Sequence, residues 1–250
     1  WRADSDVLRV EAAPVGEPVQ VSQETLEVVG KALQMSHDSG GAFDLTLKKG
    51  GYLAVRLDRE AETITLMESG LMLDLGGIGK GFALDRAAKV LESHGCSSAL
   101  LDFGGQLLAL DPPPGETAWP VGIFDPRDGQ TVLHSVPLVR SSLATTALYE
   151  RGEHLVNLLD TDSLERILST SVLSDSATQA DALSTTVALV SQDHAQHVLD
   201  NQPGASAVIL IEGEDQPRVV GRLQRGVRRG PWLGAGMMSS DQSEPIRISI

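Results

Sequence analysis

The stretch "LMLDLGGIGKGFALDRAA", from Leu71 to Ala88, passes from an apolar alternation to a helical pattern across a glycine-rich turn. Four glycines fall between Gly76 and Gly81, with Lys80 between the last two. A helix that begins near Gly79 would direct free N–H groups and the positive end of its dipole at this turn. Glycine also lets the backbone approach a ligand closely. The stretch fits a tight strand-to-helix turn and a phosphate-holding turn equally well, and its spacing matches neither standard nucleotide fingerprint.

The composition of the 250 residues indicates a globular protein with an excess of acidic groups. Of these residues 41% are hydrophobic and 22% are charged, which suits one large domain or two small lobes around a shared cleft. The net charge of −14 and the lack of a basic block argue against a nucleic-acid partner, because phosphate neutralisation needs clustered Lys and Arg. Cys96 is the single cysteine, which excludes an internal disulfide and a cysteine-based zinc site.

Helical and strand patterns mix along the chain without a regular β-α-β alternation. This mixture predicts an α+β fold of mixed, largely antiparallel sheets with packed helices. Helical patterns follow Ser22 as the N-cap, run from about Gly79 to His94, and recur in residues 178–190 and 192–200. The strand patterns are short, and one of them is "GLMLDLG", residues 70–76.

The helix from Gly79 is predicted to bury a single stripe of side chains. That stripe consists of Phe82, Ala83, Ala87, Val90 and Leu91. Residues 1–225 are predicted to form one domain, and residues 226–250 an irregular C-terminal tail.

A second stretch whose side chains could form a functional site is "ADALSTT", Ala180 to Thr186. On a helix Asp181 and Thr185 are four residues apart, so both side chains project from one face. A carboxylate, a hydroxyl and a nearby backbone carbonyl form an all-oxygen site that suits Mg²⁺, with water or phosphate completing the octahedron. The alternative, which is common at helix starts, is that Asp181 caps its own helix and Thr185 bonds back to that helix.

A third stretch is "GGAFDLTL", Gly40 to Leu47, where a helix ends and Phe43 and Asp44 follow. On its own this pattern indicates a turn that leads into a strand, with Phe43 in the hydrophobic core. One aromatic side chain does not define a flavin site.

Together with three further stretches in the same chain order, these resemble the ApbE-type flavin transferases, which are FAD:protein FMN transferases. The resemblance extends from Trp1 to about Val220. The stretches that carry it are "GAFDLTL" (41–47), "DLGGIGKGFALD" (74–85), "LLDFGGQ" (100–106), "WPVGIFDP" (119–126), "SLATTALY" (142–149) and "ADALSTT" (180–186).

The resemblance implies an activity and an architecture. A Thr or Ser hydroxyl of an acceptor protein would attack the FMN-side phosphorus of FAD, with Mg²⁺ as cofactor, and AMP would leave. Two lobes would surround a flavin cleft. The strand and helix with which the family ordinarily begins are absent from this sequence.

The resemblance also implies a role for each matching site residue. The expected FAD contacts are Ala42, Phe43 and Asp44, with Asp74 and Lys80 on polar groups of FAD, while the expected Mg²⁺ ligands are the Gly77 carbonyl, Asp181 and Thr185.

One departure from the family pattern concerns catalysis. The family pattern continues with a His that is a candidate general base, and Asn157 stands at that position in "NLLDTDS". Asn cannot accept a proton at neutral pH, so Asn157 is a doubtful catalytic residue beside Asp181. Three hypotheses stay open: a flavin transferase, an FAD-binding protein that has lost transfer, and an FAD hydrolase that yields FMN and AMP.

Location is expected from the resemblance alone. Family members ordinarily work outside the cytoplasm, often as lipoproteins, which implies a periplasmic or membrane-anchored protein. Contact with a membrane would then depend on a lipid anchor at an N-terminus that the sequence lacks.

Overall fold

A computed structural model describes residues 4–147 and 166–221, together with the backbone of two short strands at 228–229 and 247–249. The chain divides into two compact units. The described residues of the first unit are 4–79, and those of the second unit begin at Lys80. Within the described helices, none is both long enough and apolar enough to cross a membrane.

The first unit combines two α-helices with a small antiparallel sheet. Its elements are α1 (Asp6–Ala12), β1 (Val19–Gln20), α2 (Gln23–Asp38), a 3-10 turn (Gly51–Ala54), β2 (Val55–Asp58) and β3 (Thr63–Leu66). The strand order is β1-β3-β2, with β3 antiparallel to both neighbours. Leu26, Val29 and Ala32 form the buried face of α2.

A carboxylate from α1 holds the start of α2. Ser22 is the N-cap of α2, as the sequence predicts, and its hydroxyl accepts a hydrogen bond from the Thr25 N–H. The Asp6 carboxylate accepts hydrogen bonds from the Ser22 N–H at 2.8 Å and from the Thr25 hydroxyl at 2.8 Å. Burial raises the pKa of Asp6, but hydrogen bonds from Ser22, Arg9 and Thr25 outweigh it and hold this pKa well below its usual range. Asp6 is therefore a tertiary cap for a helix that it does not belong to.

The second unit is built on a seven-stranded sheet. Its elements are α3 (Gly79–Ser93), β4 (Leu100–Phe103), β5 (Gln106–Ala109), β6 (Trp119–Phe124), β7 (Val132–Leu138), β8 (Ser141–Ala147), β9 (Ile167–Ser174), α4 (Ala177–Ala188), α5 (Gln192–Asp200), β10 (Ser206–Ile211), β11 (Arg218–Gly221), β12 (Arg228–Arg229) and β13 (Arg247–Ser249). The large sheet has the order β11-β10-β9-β8-β5-β4-β13, and a second sheet has the order β12-β7-β6. The pairing is antiparallel except between β13 and β4.

Alternating side chains of the large sheet pack into two separate clusters. Leu108 packs with Leu84 and Ala88 of α3, whereas its neighbour Ala109 packs with Trp119 and Val121 of β6. Successive side chains of a strand point to opposite faces, so helices cover one face and the β6–β7 ribbon covers the other. Ala177, the first residue of α4, belongs to the same cluster as Leu84, so the N-termini of α3 and α4 lie on the same face of the sheet.

The predicted α+β class with largely antiparallel sheets is confirmed, but three local predictions differ from the structure. Residues 71–75 form no strand. The Leu73 N–H instead donates to Oε1 of Glu11 at 2.7 Å, and the Asp74 N–H donates to the Leu45 carbonyl at 2.6 Å. The alternation therefore marks an extended segment that is bonded to a side chain and a loop rather than to a strand.

The buried stripe of α3 is also displaced from the prediction. Gly81, Leu84 and Ala88 are buried, whereas Ala83 and Val90 are exposed. Periodicity alone predicts a buried face of α3 that is displaced by one residue. Gly81 is buried but has no side chain, so a pattern of apolar side chains does not count it. The remaining predicted members, Phe82, Ala87 and Leu91, are partly buried.

The predicted irregular tail contains two short strands. β12 pairs with β7, and β13 pairs with β4 at the edge of the large sheet. Such backbone pairing leaves little sequence signal when a strand has only two or three residues.

Candidate functional site

The N-termini of α3 and α4 are in close contact, and a glycine makes that contact possible. A Cβ at Gly81 would lie 2.0 Å from the carbonyl oxygen of Ala177 and 2.8 Å from Cα of Thr178. These are backbone atoms, which cannot rotate away as a side chain would. The third glycine of the turn, Gly79, is the first residue of α3, as predicted, and has no atom within 4 Å of the position of a Cβ.

Asp181 projects from α4 to the start of α3. Its Oδ2 accepts a hydrogen bond from the Gly81 N–H at 3.0 Å, and its Oδ1 pairs with Nζ of Lys80 at 2.7 Å. The Asp181 side chain is 4% exposed and that of Lys80 is 26% exposed. The anion-binding end of α3 is therefore occupied by a carboxylate of the same unit, where the helix dipole and Lys80 both favour negative charge.

Asp85 makes the reciprocal contact from α3 to the start of α4. Its Oδ1 accepts from the Ala177 N–H at 2.9 Å. Its Oδ2 accepts from the Ser176 hydroxyl at 2.8 Å, the Thr178 N–H at 3.0 Å and the Thr178 hydroxyl at 2.6 Å. Each helix thus carries a carboxylate that holds the first turn of the other.

The structure excludes one of the two interpretations of Asp181, the one in which it caps its own helix. Ser176, rather than Asp181, is the N-cap of α4. The hydroxyls that bond back to the helix are those of Ser184, to the Asp181 carbonyl, and Thr186, to the Ala182 carbonyl. The expectation that Asp181 caps its own helix is therefore wrong, and Thr185 lies partly exposed one turn beyond Asp181.

The predicted FAD contacts in the first unit are buried and tie down their own loop. Ala42, Phe43 and Asp44 are at most 5% exposed, in agreement with a core position for Phe43. Oδ1 of Asp44 accepts from the N–H and the hydroxyl of Thr46 at 2.9 and 2.7 Å, and its Oδ2 accepts from the Tyr52 N–H at 3.4 Å. Asp44 thus fixes the turn that follows α2.

Asp74 and Gly77 belong to the first unit as well. Oδ1 of Asp74 accepts from the Gly76 N–H at 2.6 Å, and a Cβ at Gly76 would lie 2.9 Å from that oxygen. Gly76, the first glycine of the turn, therefore leaves room for the Asp74 side chain to bond back to the backbone. Asp181 and Lys80 form an ion pair in the second unit and Thr185 lies four residues after Asp181 on α4, whereas Asn157 lies outside the described residues.

Sequence reasoning missed two residues at the α3–α4 contact, Asp85 and Gln106. Nε2 of Gln106 donates to the Ala177 carbonyl at 2.8 Å, although 71 residues separate the two in sequence. The available signal for Asp85 was a carboxylate one helical turn after Gly81, on the side of α3 that the glycine brings against a neighbour.

The side-chain oxygens of Asp181 and Thr185 are of the type that binds a divalent cation which arrives with a substrate. Mg²⁺ prefers hard oxygen ligands and is commonly bound by one or two carboxylates plus substrate phosphates and water. Asp181 and Thr185 supply a carboxylate and a hydroxyl from one helix. Over residues 4–147 and 166–221, no group of three or more His, Cys, Asp or Glu side chains could hold a metal alone.

Comparison with known proteins gives consistent matches. The sequence model of the ApbE family matches residues 1–51 and 46–210. The FAD:protein FMN transferase of Treponema pallidum is 27% identical over 259 residues, which cover 84% of this chain and 72% of that protein.

Solved structures match the fold over a similar extent. The ApbE protein of Thermotoga maritima superposes with a TM-score of 0.72 at 27% identity, covering 85% of this chain and 80% of that one. The apo form of the flavinyl transferase ApbE of Pseudomonas stutzeri gives a TM-score of 0.72 at 24% identity, covering 88% and 78%.

Proposed function

The chain belongs to the ApbE family, and from that premise we propose that it is a Mg²⁺-dependent FAD:protein FMN transferase. In the proposed reaction, a Thr or Ser hydroxyl of an acceptor protein attacks the FMN-side phosphorus of FAD. The new P–O bond forms as the bond to the bridging oxygen breaks, and AMP leaves with that oxygen. The hydroxyl proton passes to a base.

The observation that carries this proposal is the charged cluster at the start of α3. Lys80, the Gly81 N–H and the helix dipole provide positive potential, and Asp181 provides a buried carboxylate. Phosphoryl transfer asks mainly for positioning and charge neutralisation, and it needs no nucleophile from the enzyme. A cluster of this kind suits a pyrophosphate that carries a metal ion.

Asp181 and Thr185 are the proposed metal-binding residues of the second unit. Bound Mg²⁺ would neutralise charge on the phosphates of FAD. Lys80 would act as a point charge toward a phosphate oxygen, since its ammonium has three donors and Asp181 takes one of them. The predicted roles of Ala42, Phe43, Asp44, Asp74 and the Gly77 carbonyl stay predictions.

The direct test incubates the protein with FAD, Mg²⁺ and a flavin-acceptor domain that carries a Thr or Ser target. Transfer produces a fluorescent protein band and one AMP for each flavin attached. Asp181→Asn should abolish the Mg²⁺ dependence while an amide oxygen can still accept from Gly81. If the wild type labels the acceptor equally with and without Mg²⁺, or if Asp181→Asn responds to Mg²⁺ as the wild type does, the metal assignment is wrong.

Neighbouring threonines offer a matched pair of variants. Thr185→Val removes the proposed ligand, whereas Thr186→Val removes a hydroxyl that bonds to the Ala182 carbonyl. We expect the Mg²⁺ concentration needed for half-maximal transfer to rise by about tenfold in the first variant only. An equal rise in both variants would assign the effect to helix stability instead of metal binding.

The replacement at Asn157 favours a second candidate, an FAD-binding protein without efficient transfer. Saturable FAD binding with neither a labelled band nor AMP would support it, and AMP without a band would support hydrolysis. A location outside the cytoplasm is likewise proposed from the family resemblance, and fractionation of cells that express the complete gene product tests it.

A further inference from the structure

The first turns of α3 and α4 are held by an exchange of carboxylates in the second unit. Asp181 of α4 accepts from the Gly81 N–H of α3, and Asp85 of α3 accepts from the Ala177 and Thr178 N–H groups of α4. Gly81 of α3 and Ala177 of α4 are in contact, and each is followed four residues later on its own helix by one of the carboxylates. Asp85 follows Gly81, and Asp181 follows Ala177. The position of each carboxylate therefore depends on the other.

Asp85 needs both of its oxygens for this task. Four donors converge on the carboxylate, three of them on Oδ2. An amide at this position offers one acceptor oxygen, and its NH₂ group would face the N–H of Ala177 or the donors of Thr178. Asn is therefore close in shape to Asp at residue 85 but cannot satisfy the same donors.

The packing around this exchange leaves the start of α4 little freedom to move. The Ala177 carbonyl accepts from Nε2 of Gln106 and touches Gly81, where a Cβ would lie 2.0 Å away. With its N–H on Asp85 and its carbonyl on Gln106, Ala177 is held through both of its backbone polar groups. Asp181 follows one helical turn later, so the position of the first turn of α4 determines where its carboxylate lies.

We propose that Asp85 is a positioning residue that places the Asp181 carboxylate for binding of a divalent cation together with FAD. The inference rests on the proposed function in taking Asp181 as the metal-binding carboxylate. Residues that orient metal ligands through hydrogen bonds typically change metal affinity by about 10- to 100-fold when they are mutated. Asp85 acts through the helix backbone and does not touch the metal.

The test measures Mn²⁺ binding by electron paramagnetic resonance, with FAD at saturation, for the wild type and for Asp85→Asn. We expect the dissociation constant of Mn²⁺ to rise by about 10- to 100-fold in the variant. The matched control is Asp6→Asn, which removes one carboxylate oxygen from a tertiary cap at the start of α2, in the first unit. Both variants should unfold at a lower temperature, but the control should keep the wild-type affinity for Mn²⁺.

A milder variant keeps the inference testable if Asp85→Asn does not fold. Thr178→Val removes one donor to Asp85 and retains the branched shape of the side chain. We expect a smaller rise in the dissociation constant, below about tenfold. An unchanged value in every folded variant of this contact would overturn the positioning role.

The outcomes separate this inference from the proposed function. Equal Mn²⁺ affinity in the wild type and Asp85→Asn overturns the positioning role and leaves flavin transfer untouched. A selective loss of Mn²⁺ affinity in a protein that transfers no flavin upholds the positioning role and rejects the transferase. A wild type that binds no Mn²⁺ overturns both the metal site and the inference.

Discussion

At the scale of single residues, the pair formed by Lys80 and Asp181 dominates the charge balance at the start of α3. The carboxylate is almost completely buried, whereas the ammonium is partly exposed to solvent. A buried carboxylate that loses its counter-ion retains the cost of leaving water without the compensating attraction. The Gly81 N–H and the helix dipole would offset only part of that cost.

Lys80→Met should therefore destabilise the metal-free protein. We expect the free energy of unfolding in urea with EDTA to fall by about 1–3 kcal/mol, and added Mg²⁺ with FAD to restore part of it by supplying another cation. Lys48→Met is the matched control, because Lys48 pairs with Glu68 where both side chains are half exposed. The control should change stability by less than about 0.5 kcal/mol. Equal losses in both variants would contradict the argument.

The sequence predicted those features of the candidate site that depend on a residue's own helix or turn. That Asp181 and Thr185 share one helix follows from their spacing, and the burial of Phe43 follows from residue type. The Lys80–Asp181 pair and the Asp85 contacts join residues about 100 positions apart, so no local pattern encodes them. Asp44 is an intermediate case, because its side-chain turn to Thr46 is local but its bond to Tyr52 is not.

At the scale of secondary-structure elements, the close approach of α3 and α4 depends on one glycine. Gly81→Ala would place a methyl group 2.0 Å from the Ala177 carbonyl oxygen, so the two helices must separate. We expect a loss of at least about 3 kcal/mol in the free energy of unfolding, measured by urea denaturation.

Gly79→Ala is the control for that variant on the same helix. No atom lies within 4 Å of a Cβ at Gly79, so alanine should be neutral or raise the free energy of unfolding by up to about 1 kcal/mol. A similar loss in both variants would show that helix propensity, rather than the contact between the helices, determines the effect.

Elements with a cap or a clear period were predicted well, and elements defined by their partners were not. The start of α2 after Ser22 and the start of α3 at Gly79 were both predicted. Residues 71–75 alternate like a strand but bond to Glu11 and Leu45, because an alternating pattern specifies an extended backbone and not its partner. The buried face of α3 was shifted for a related reason, since Gly81 contributes contact without a side chain.

At the scale of the whole molecule, family membership and the sequence at Asn157 point in different directions. The α3–α4 contact holds Lys80 and Asp181, to which the proposed function assigns FAD and metal binding, whereas Asn157 stands where the family pattern has its candidate base. The two observations are compatible if binding of FAD and metal is intact and the proton of the acceptor hydroxyl leaves slowly. Loss of a general base typically slows a reaction by about 10² to 10⁴-fold.

Asn157→His should then increase the rate of flavin transfer by about 10² to 10⁴-fold, measured as the initial rate of acceptor labelling at saturating FAD and Mg²⁺. A histidine base works only when it is neutral, so the gain should rise with pH through the ordinary histidine pKa of about 6.5. His154→Ala provides the control, because His154 stands three residues before the position of the candidate base in the family pattern. Its rate should equal that of the wild type. If Asn157→His labels the acceptor no faster, or if its gain is independent of pH, proton removal is not the step that limits this protein.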